Sequence, residues 1–401
     1  METGITTLTF FKVDDINRAL DQLERRLREL LHANPWLAGR LMKIKGKKRL
    51  QLVYPNQITE QHQAALLNKL ASIEVDSKTP YTTLVKTITQ DQRVFVPSGF
   101  ALQKKSAPLM RITLTKPKEG ETALIFSLSH IVADGATYYD LLNSLLSTAP
   151  IVTLNPDRKH AFNWSTAVGP HDHAYLSSKS HLCNIVWSLL FGPKAKVAAY
   201  HVNANAVQAA KADFTPSESV PYLSTNDILT SQFMTSINAR LAMMAVNFRA
   251  RLVSLNRLDA GNYEGVLFYD AGVYHTAEGI RHSLKLPPPF TTRSLPLPKI
   301  TERFRLKLGA ITNWASFAGL FSLSGCQQQL HLPIIPTHLI PFDMAIIFRP
   351  QPKKTALLYL GKYTPPPLFL RRANAAFSHV LGPALAPELF PDSPSDTNLT
   401  T

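Results

Sequence analysis

A chain of 401 residues with 45% hydrophobic and 18% charged side chains can bury a large core and suggests two domains or one composite unit; it excludes a fibrous or wholly disordered polymer. Lysine and arginine total 43 against 28 acidic residues, for a formal charge of +15 and a pI near 9.7, which leaves nucleic acid, a membrane surface or a polyanionic small molecule as partners. The basic runs are short, however: Lys43 to Arg49 alternate around Gly46 as in a solvated hairpin, and Lys104–Lys105, Lys353–Lys354 and Arg371–Arg372 are isolated pairs, so no nucleic-acid partner is expected.

In chain order, Met1–Phe10 lacks a basic stretch followed by an apolar core, so no secretory leader is expected. Thr6–Val13 reads as a strand. Asp14 or Asp15 caps a helix that aligns Ile16, Leu20, Leu23, Leu27, Leu30 and Leu31 and stops at Asn34–Pro35. A hairpin follows, Leu41–Lys45 and Arg49–Tyr54 about Gly46. Between 56 and 108 the expectation is one helix, Glu60–Ile73, and a mixed stretch to Ala107. Met110–Thr115 alternates, Lys116–Glu121 supplies a turn, and Ala123–Ser129 is a nearly continuous apolar strand. After an Asp134–Gly135 turn, Tyr138–Leu146 presents Leu141, Leu142, Leu145 and Leu146 on one helical face.

From Ser147 to Pro221 periodicity fades, as in a long crossover between halves. Its apolar run, Leu182–Gly192, is too short to span a bilayer and reads as a packing or interfacial helix. Ser224 and Asp227 have capping-box spacing for a helix reaching about Arg240, and Met243–Phe248 is a short buried strand. Leu286–Pro298 is a proline-rich loop, strands return at Pro341–Phe348 and Lys354–Leu360, and the chain from about Pro391 reads as a disordered tail. The expected partition is an N-terminal lobe over 1–160, a crossover over 161–220, a C-terminal lobe over 221–390 and a tail over 391–401. Cys183 and Cys326 have neither a disulfide pattern nor metal spacing, so no metal is expected and the default is a reduced, cytoplasmic protein.

The chemistry concentrates in Ser129-His130-Ile131-Val132-Ala133-Asp134-Gly135. A histidine at the end of a buried strand is presented at a cleft, and an imidazole of reference pKa about 6.5 is mostly neutral at pH 7 and suited to general-base work. Asp134 can turn inward to fix the loop, and Gly135 permits backbone angles or a close approach that a side chain would block. The plainer alternative is a histidine closing a strand before an Asp-Gly turn.

In that setting the segment resembles the HxxxDG motif of the BAHD-type acyltransferases, relatives of chloramphenicol acetyltransferase and carnitine acyltransferase. Other segments carry the same resemblance in family order. Asn34–Leu41 is similar to YPxLAGRL, Leu223–Thr230 to STNDxLT, Val246–Leu252 to VDxRxRL, Gly261–Gly265 to GNYFGN and Thr312–Trp314 to TSW. The resemblance implies an α/β fold of mixed sheets in two chloramphenicol acetyltransferase-like lobes with an active-site channel between them, and a monomer. It implies an acyl-CoA co-substrate with no bound cofactor, and a small-molecule hydroxyl or amine acceptor deprotonated by His130. It further implies that Asp134 is structural and pairs with Arg249, for which the plainer alternative is a surface ion pair. Thr312 and Trp314 would line the site, with the Thr312 hydroxyl placed to stabilise an oxyanion; a strand-end threonine and a core tryptophan are the alternative. Gly261 and Asn262 would shape a loop.

The chain departs from the plant members of that family in one place: Ser316–Leu330 contains no trace of their DFGWG motif, which is linked to coenzyme A binding. Two other functions stay open. A condensation-type domain would take its acyl group from a carrier protein, but those carry a doubled histidine where this chain has Ser129. A non-catalytic binding member is the other, against which the intact His130, Asp134 and Gly135 weigh.

Overall fold

The structure, a computed structural model, describes residues 4–46, 50–71, 73, 75–97, 102, 107–159, 162–290, 293, 295–299, 301, 307–376, 379–391 and 393. The basic residues Lys47–Arg49 and Lys104–Lys105 and the tail from 394 onward lie outside the described residues.

The chain opens with strand β1 (Ile5–Val13) and helix α1 (Ile16–Ala33). Asp15 caps α1, its carboxylate accepting from the amides of Asn17 and Arg18, and Leu23, Leu27, Leu30 and Leu31 form its buried face. Proline ends the helix at Asn34 and a 3-10 turn, Pro35–Ala38, leads into the hairpin β2 (Arg40–Met42) and β3 (Gln51–Val53). Next come α2 (Glu60–Ala64), β4 (Leu67–Ala71) and α3 (Tyr81–Gln90). The helix expected over Glu60–Ile73 therefore closes after one turn. Leu66 and Leu67 are buried as neighbours, and Leu67 pairs with Ile112 at the sheet edge, so tertiary pairing overrides helix propensity.

The hairpin β5 (Met110–Lys118) and β6 (Glu121–Leu128) carries the chain to α4 (Gly135–Leu145). Asp134 and Gly135 are not a turn, as expected, but the N-cap and first residue of α4, because the Asp134 carboxylate accepts from the Thr137 amide. The supposed crossover is ordered into α5 (Trp164–Val168), α6 (Pro170–Leu176), α7 (Lys179–Phe191), β7 (Lys196–Val202) and α8 (Ala204–Ala212). Helix α9 (Thr225–Ile237) starts on the Ser224–Asp227 capping box. After it come β8 (Leu241–Asn247), β9 (Glu264–Tyr269), α10 (Ala271–Tyr274), α11 (Ala277–Ser283), β10 (Leu308–Asn313), β11 (Cys326–Pro333), β12 (Asp343–Phe348), β13 (Ala356–Gly361), α12 (Pro366–Ala376) and β14 (Leu381–Ala384).

Two mixed sheets organise these elements, in the orders β11-β1-β6-β5-β4 and β14-β7-β13-β12-β10-β8-β9. The first packs on α1 and α4, whose leucines share its core. In the second, parallel β8, β10 and β12 are flanked by antiparallel strands and covered by α9, which is buried on nearly every side against α11 and α12. Sheet membership cuts across the linear partition at 160 and 220. Strand β7 belongs to the second sheet although it precedes residue 221, and β11 leaves the C-terminal half to pair with β1 in the first. His331 of β11 fastens that exchange: buried, it bridges the Thr9 hydroxyl at 2.8 Å and the Tyr139 hydroxyl at 3.0 Å.

Candidate active site

His130 follows β6 in a tight turn where two cavities meet. Its imidazole is part-buried and both ring nitrogens have neighbours across the gap between the sheets. Nδ1 lies 3.2 Å from Oδ1 of Asn262, and Nε2 lies 3.3 Å from Oε1 of Glu264. The Asn262 amide nitrogen donates to the carbonyl oxygen of His130 itself, so its Oδ1 is left to accept. In the neutral ring that arrangement favours the hydrogen on Nδ1, with Nε2 facing Glu264. Asn262 and Glu264 are two residues apart at the entry to β9, so they share a face.

Asp134 and Arg249 form the floor below. The Asp134 side chain is fully buried: one oxygen accepts from the Thr137 amide at 3.0 Å, the other from Arg249 Nη1 at 2.6 Å and from the Tyr263 amide at 2.9 Å. Arg249, in the turn after β8, has a partner for each of its five N–H groups: Asp134, the Asn247 side chain, the Asp259 carbonyl, the Thr137 hydroxyl and the Gly261 carbonyl. The guanidinium also lies 5.1 Å from the centre of the Tyr263 ring. The Asp134 amide donates to the Gly261 carbonyl at 3.1 Å, so the loop before β9 is held from both sides. Gly261 is required there: its φ is +143°, and a Cβ would stand 2.9 Å from Arg158 Nη1 and 3.0 Å from the Tyr263 ring.

The reason expected for Gly135 does not apply. Its φ is not in the left-handed region, and a Cβ would meet Phe317 and Trp314 at 3.7–3.8 Å, ordinary contact distances. Trp314 is a buried ring between Gly135 and Tyr139, 6.2 Å from the latter's centre. Thr312 sits on β10 opposite Ile346 and, like Trp314, lines neither cavity flanking His130. The structure thus gathers His130, Asp134, Gly135 and Arg249, sets Trp314 at the start of α4, and leaves Thr312 on the neighbouring sheet. Glu264 was missed by sequence reasoning, and Asn262 was assigned only to loop shape; the two-residue spacing before an apolar strand was the available signal.

The larger cavity, about 860 Å³, is bounded by the β2–β3 hairpin and by Ile131, Arg158, Lys159 and Tyr263. The smaller, about 370 Å³, holds His130, His173, Leu176, Ser177 and Glu264. Trp164 and Asn262 border both. Arg158 donates to the Ile131 carbonyl at 2.9 Å and Lys159 pairs with Asp259 at 3.1 Å, so the cationic wall is braced. Among the described residues no cluster of three or more His, Cys, Asp or Glu could hold a metal ion, and no helix is long and apolar enough to cross a membrane.

No family model matches this chain, and a comparison with curated proteins finds no match. Solved structures do match over nearly the whole length. The F. graminearum TRI101 structure complexed with coenzyme A and deoxynivalenol aligns with a TM-score of 0.62 at 13% identity, covering 95% of this chain and 96% of that one. The first condensation domain of the CDA synthetase aligns at 0.58 and 14% identity, covering 94% and 91%. Polyketide synthase associated protein 5 from Mycobacterium tuberculosis aligns at 0.54 and 14%, covering 94% and 93%. The fold is the two-lobed chloramphenicol acetyltransferase-like arrangement of mixed sheets and helices.

Proposed function

We propose that this chain is an acyltransferase that moves an acyl group from an acyl-CoA thioester to the hydroxyl or amine of a small molecule, with His130 as general base. The observation that carries the proposal is the setting of the ring: Nδ1 lies 3.2 Å from Asn262 Oδ1, and Nε2 faces the Glu264 carboxylate at the smaller cavity. Nε2 accepts the proton of the acceptor O–H or N–H as that atom attacks the thioester carbonyl. When the tetrahedral intermediate collapses, the C–S bond breaks and the proton passes from Nε2 to the leaving thiolate. No acyl-enzyme forms. The two cavities meeting at Asn262 and Trp164 suit a reaction in which two substrates reach one base.

Asp134 has no free oxygen to offer a substrate, so its part is to hold the His130 loop through Arg249. Gly135 opens α4 beside it. Thr312 and Trp314 line neither cavity, so neither is given a part in the reaction; Trp314 packs beside Gly135 at the start of α4. A coenzyme A donor is supported by the likeness to TRI101, which crystallised with that molecule, and by the +15 charge. A carrier-protein donor is less favoured, because Ser129 replaces the first histidine of the doubled motif and is buried.

The test is thiol release from a panel of acyl-CoA donors with hydroxyl and amine acceptors, run beside His130→Ala after circular dichroism has verified its fold. Acceptor-dependent release should fall by roughly 10²–10⁴-fold in the variant. Turnover of a carrier-bound acyl group, with none from acyl-CoA, would reassign the donor. Undiminished turnover by His130→Ala would end the assignment of the base.

A further inference from the structure

Helix α7 is built inside out. His181, Asn184 and Ser188 face the protein and are buried, whereas Leu182, Val186 and Leu190 recur one turn apart on the solvent side, 58%, 40% and 69% exposed. Phe191 extends this stripe at 67% exposure, with the Trp187 ring 4.4 Å from its own. A surface helix adapted to water carries the opposite pattern. Its polar side is seated on the protein, with the His181 ring 4.9 Å from that of Tyr175. The Ser178 hydroxyl caps the His181 amide, and the Ser188 hydroxyl donates to the Pro341 carbonyl and accepts from the Tyr363 hydroxyl at 2.6 Å.

The charge along this segment of the chain is of one sign. Between Asp172 and Asp213 the sequence contains no acidic residue, while Lys179, Lys194 and Lys196 flank the helix ends and are exposed. An apolar stripe with lysines at both ends and no acidic residue in its own segment is complementary to an anionic lipid surface. We propose that α7 is a peripheral membrane anchor, lying in the plane of an anionic bilayer with Leu182, Val186, Leu190 and Phe191 at the acyl boundary and the three lysines among the headgroups. Thirteen residues are too few to span a bilayer but suffice to lie on one. Ser177 and Ser178 join α7 directly to α6, whose His173 and Leu176 line the smaller cavity beside His130, so docking brings that cavity close to lipid.

The experiment is co-sedimentation of the full chain with vesicles of phosphatidylcholine, with and without phosphatidylglycerol, at low and high salt. Binding should require the anionic lipid, weaken with salt, and fall roughly tenfold or more in a Leu182→Glu, Leu190→Glu, Phe191→Glu triple variant. Val253→Glu, at an exposed apolar residue in the turn after β8, should bind as wild type. A second readout needs no triple variant: quenching by brominated acyl chains should be strong in the wild type and largely lost in Trp187→Phe. The proposal fails if anionic vesicles sediment none of the protein, or if the triple variant binds as wild type. It also fails if the wild type is a dimer by size exclusion that the triple variant splits, since the face would then meet a second copy.

Discussion

His130 is flanked by two acceptors, Asn262 Oδ1 and the Glu264 carboxylate, and a neutral imidazole carries one N–H. The Nε2–Glu264 contact is therefore completed only when Nε2 has taken a proton, which is the state that forms as the acceptor attacks. A hydrogen bond to a charged group contributes about 1.5–3 kcal/mol, so Glu264→Gln should lower kcat roughly ten- to a hundredfold. KM for the thioester should change little and Glu264→Asp should recover part of the loss. Steady-state kinetics on the three proteins decide it: a kcat for Glu264→Gln equal to wild type would leave the carboxylate without a part in the reaction. His130 and Asp134 could be read from the chain because a motif fixes both their spacing and their residue types. Glu264 could not, since a polar residue at a strand entry does not disclose which side chain on the other sheet it will meet. The same blindness misjudged Gly135, whose place in a motif suggested a steric reason that the open contacts at 3.7–3.8 Å remove.

Elements with a strong local period were legible: α1 by its leucines and cap, and α9 by its capping box. Helix α3 carries the same signal, Tyr81, Leu84, Val85 and Ile88, within the stretch expected to be mixed. What local pattern cannot encode is a partner distant in sequence. Strand β4 was absorbed into a helix because its pairing with β5 spans more than forty residues, and β11 (Cys-Gln-Gln-Gln-Leu-His-Leu-Pro) reads as polar until β1 is placed beside it. His331 makes that pairing sensitive to acid. Burial lowers its pKa from the ordinary imidazole value to about 3, since the protonated ring would sit between Thr9 and Tyr139 without water. A base with a depressed native pKa resists protonation when folded, so its stabilising contribution is intact above about pH 6.5 and lost as pH falls toward 3, at about 1.4 kcal/mol per unit. Between pH 7 and pH 5 the wild type should therefore lose about 2 kcal/mol more stability than His331→Gln, measured by urea unfolding at each pH. Parallel pH curves for the two proteins would refute it.

At the scale of the molecule, the two sheets are joined by one exchanged strand, β11, and by a buried polar knot, and the knot is where architecture and chemistry coincide. Asp134 comes from the loop after β6 in the first sheet and Arg249 from the turn after β8 in the second. The general outline of two lobes was available from the resemblance, but which strand crosses between them was not, because strand exchange leaves no mark on periodicity. The pairing of Asp134 with Arg249 has a measurable consequence. Arg249→Ala strands a fully buried carboxylate and also takes the arginine donor from the Asp259 carbonyl, which should cost about 3–5 kcal/mol. Asp134→Asn should cost less, since it leaves no buried carboxylate and its oxygen can still accept from Arg249 Nη1 and the Tyr263 amide, at the loss of the Thr137 amide's acceptor. If the two groups act as a unit, the Asp134→Asn, Arg249→Ala double variant should be more stable than the sum of the single losses predicts, by about 0.5–3 kcal/mol. Turnover should fall in Arg249→Ala beyond what unfolding explains, because the same arginine holds the Gly261 carbonyl one residue before Asn262, and Asn262 orients His130. Denaturant unfolding of the four proteins, with turnover measured where each is fully folded, separates the two effects. Strict additivity would mean that the sheets are held apart from this pair, and wild-type turnover in Arg249→Ala would mean that the histidine loop keeps its shape without it.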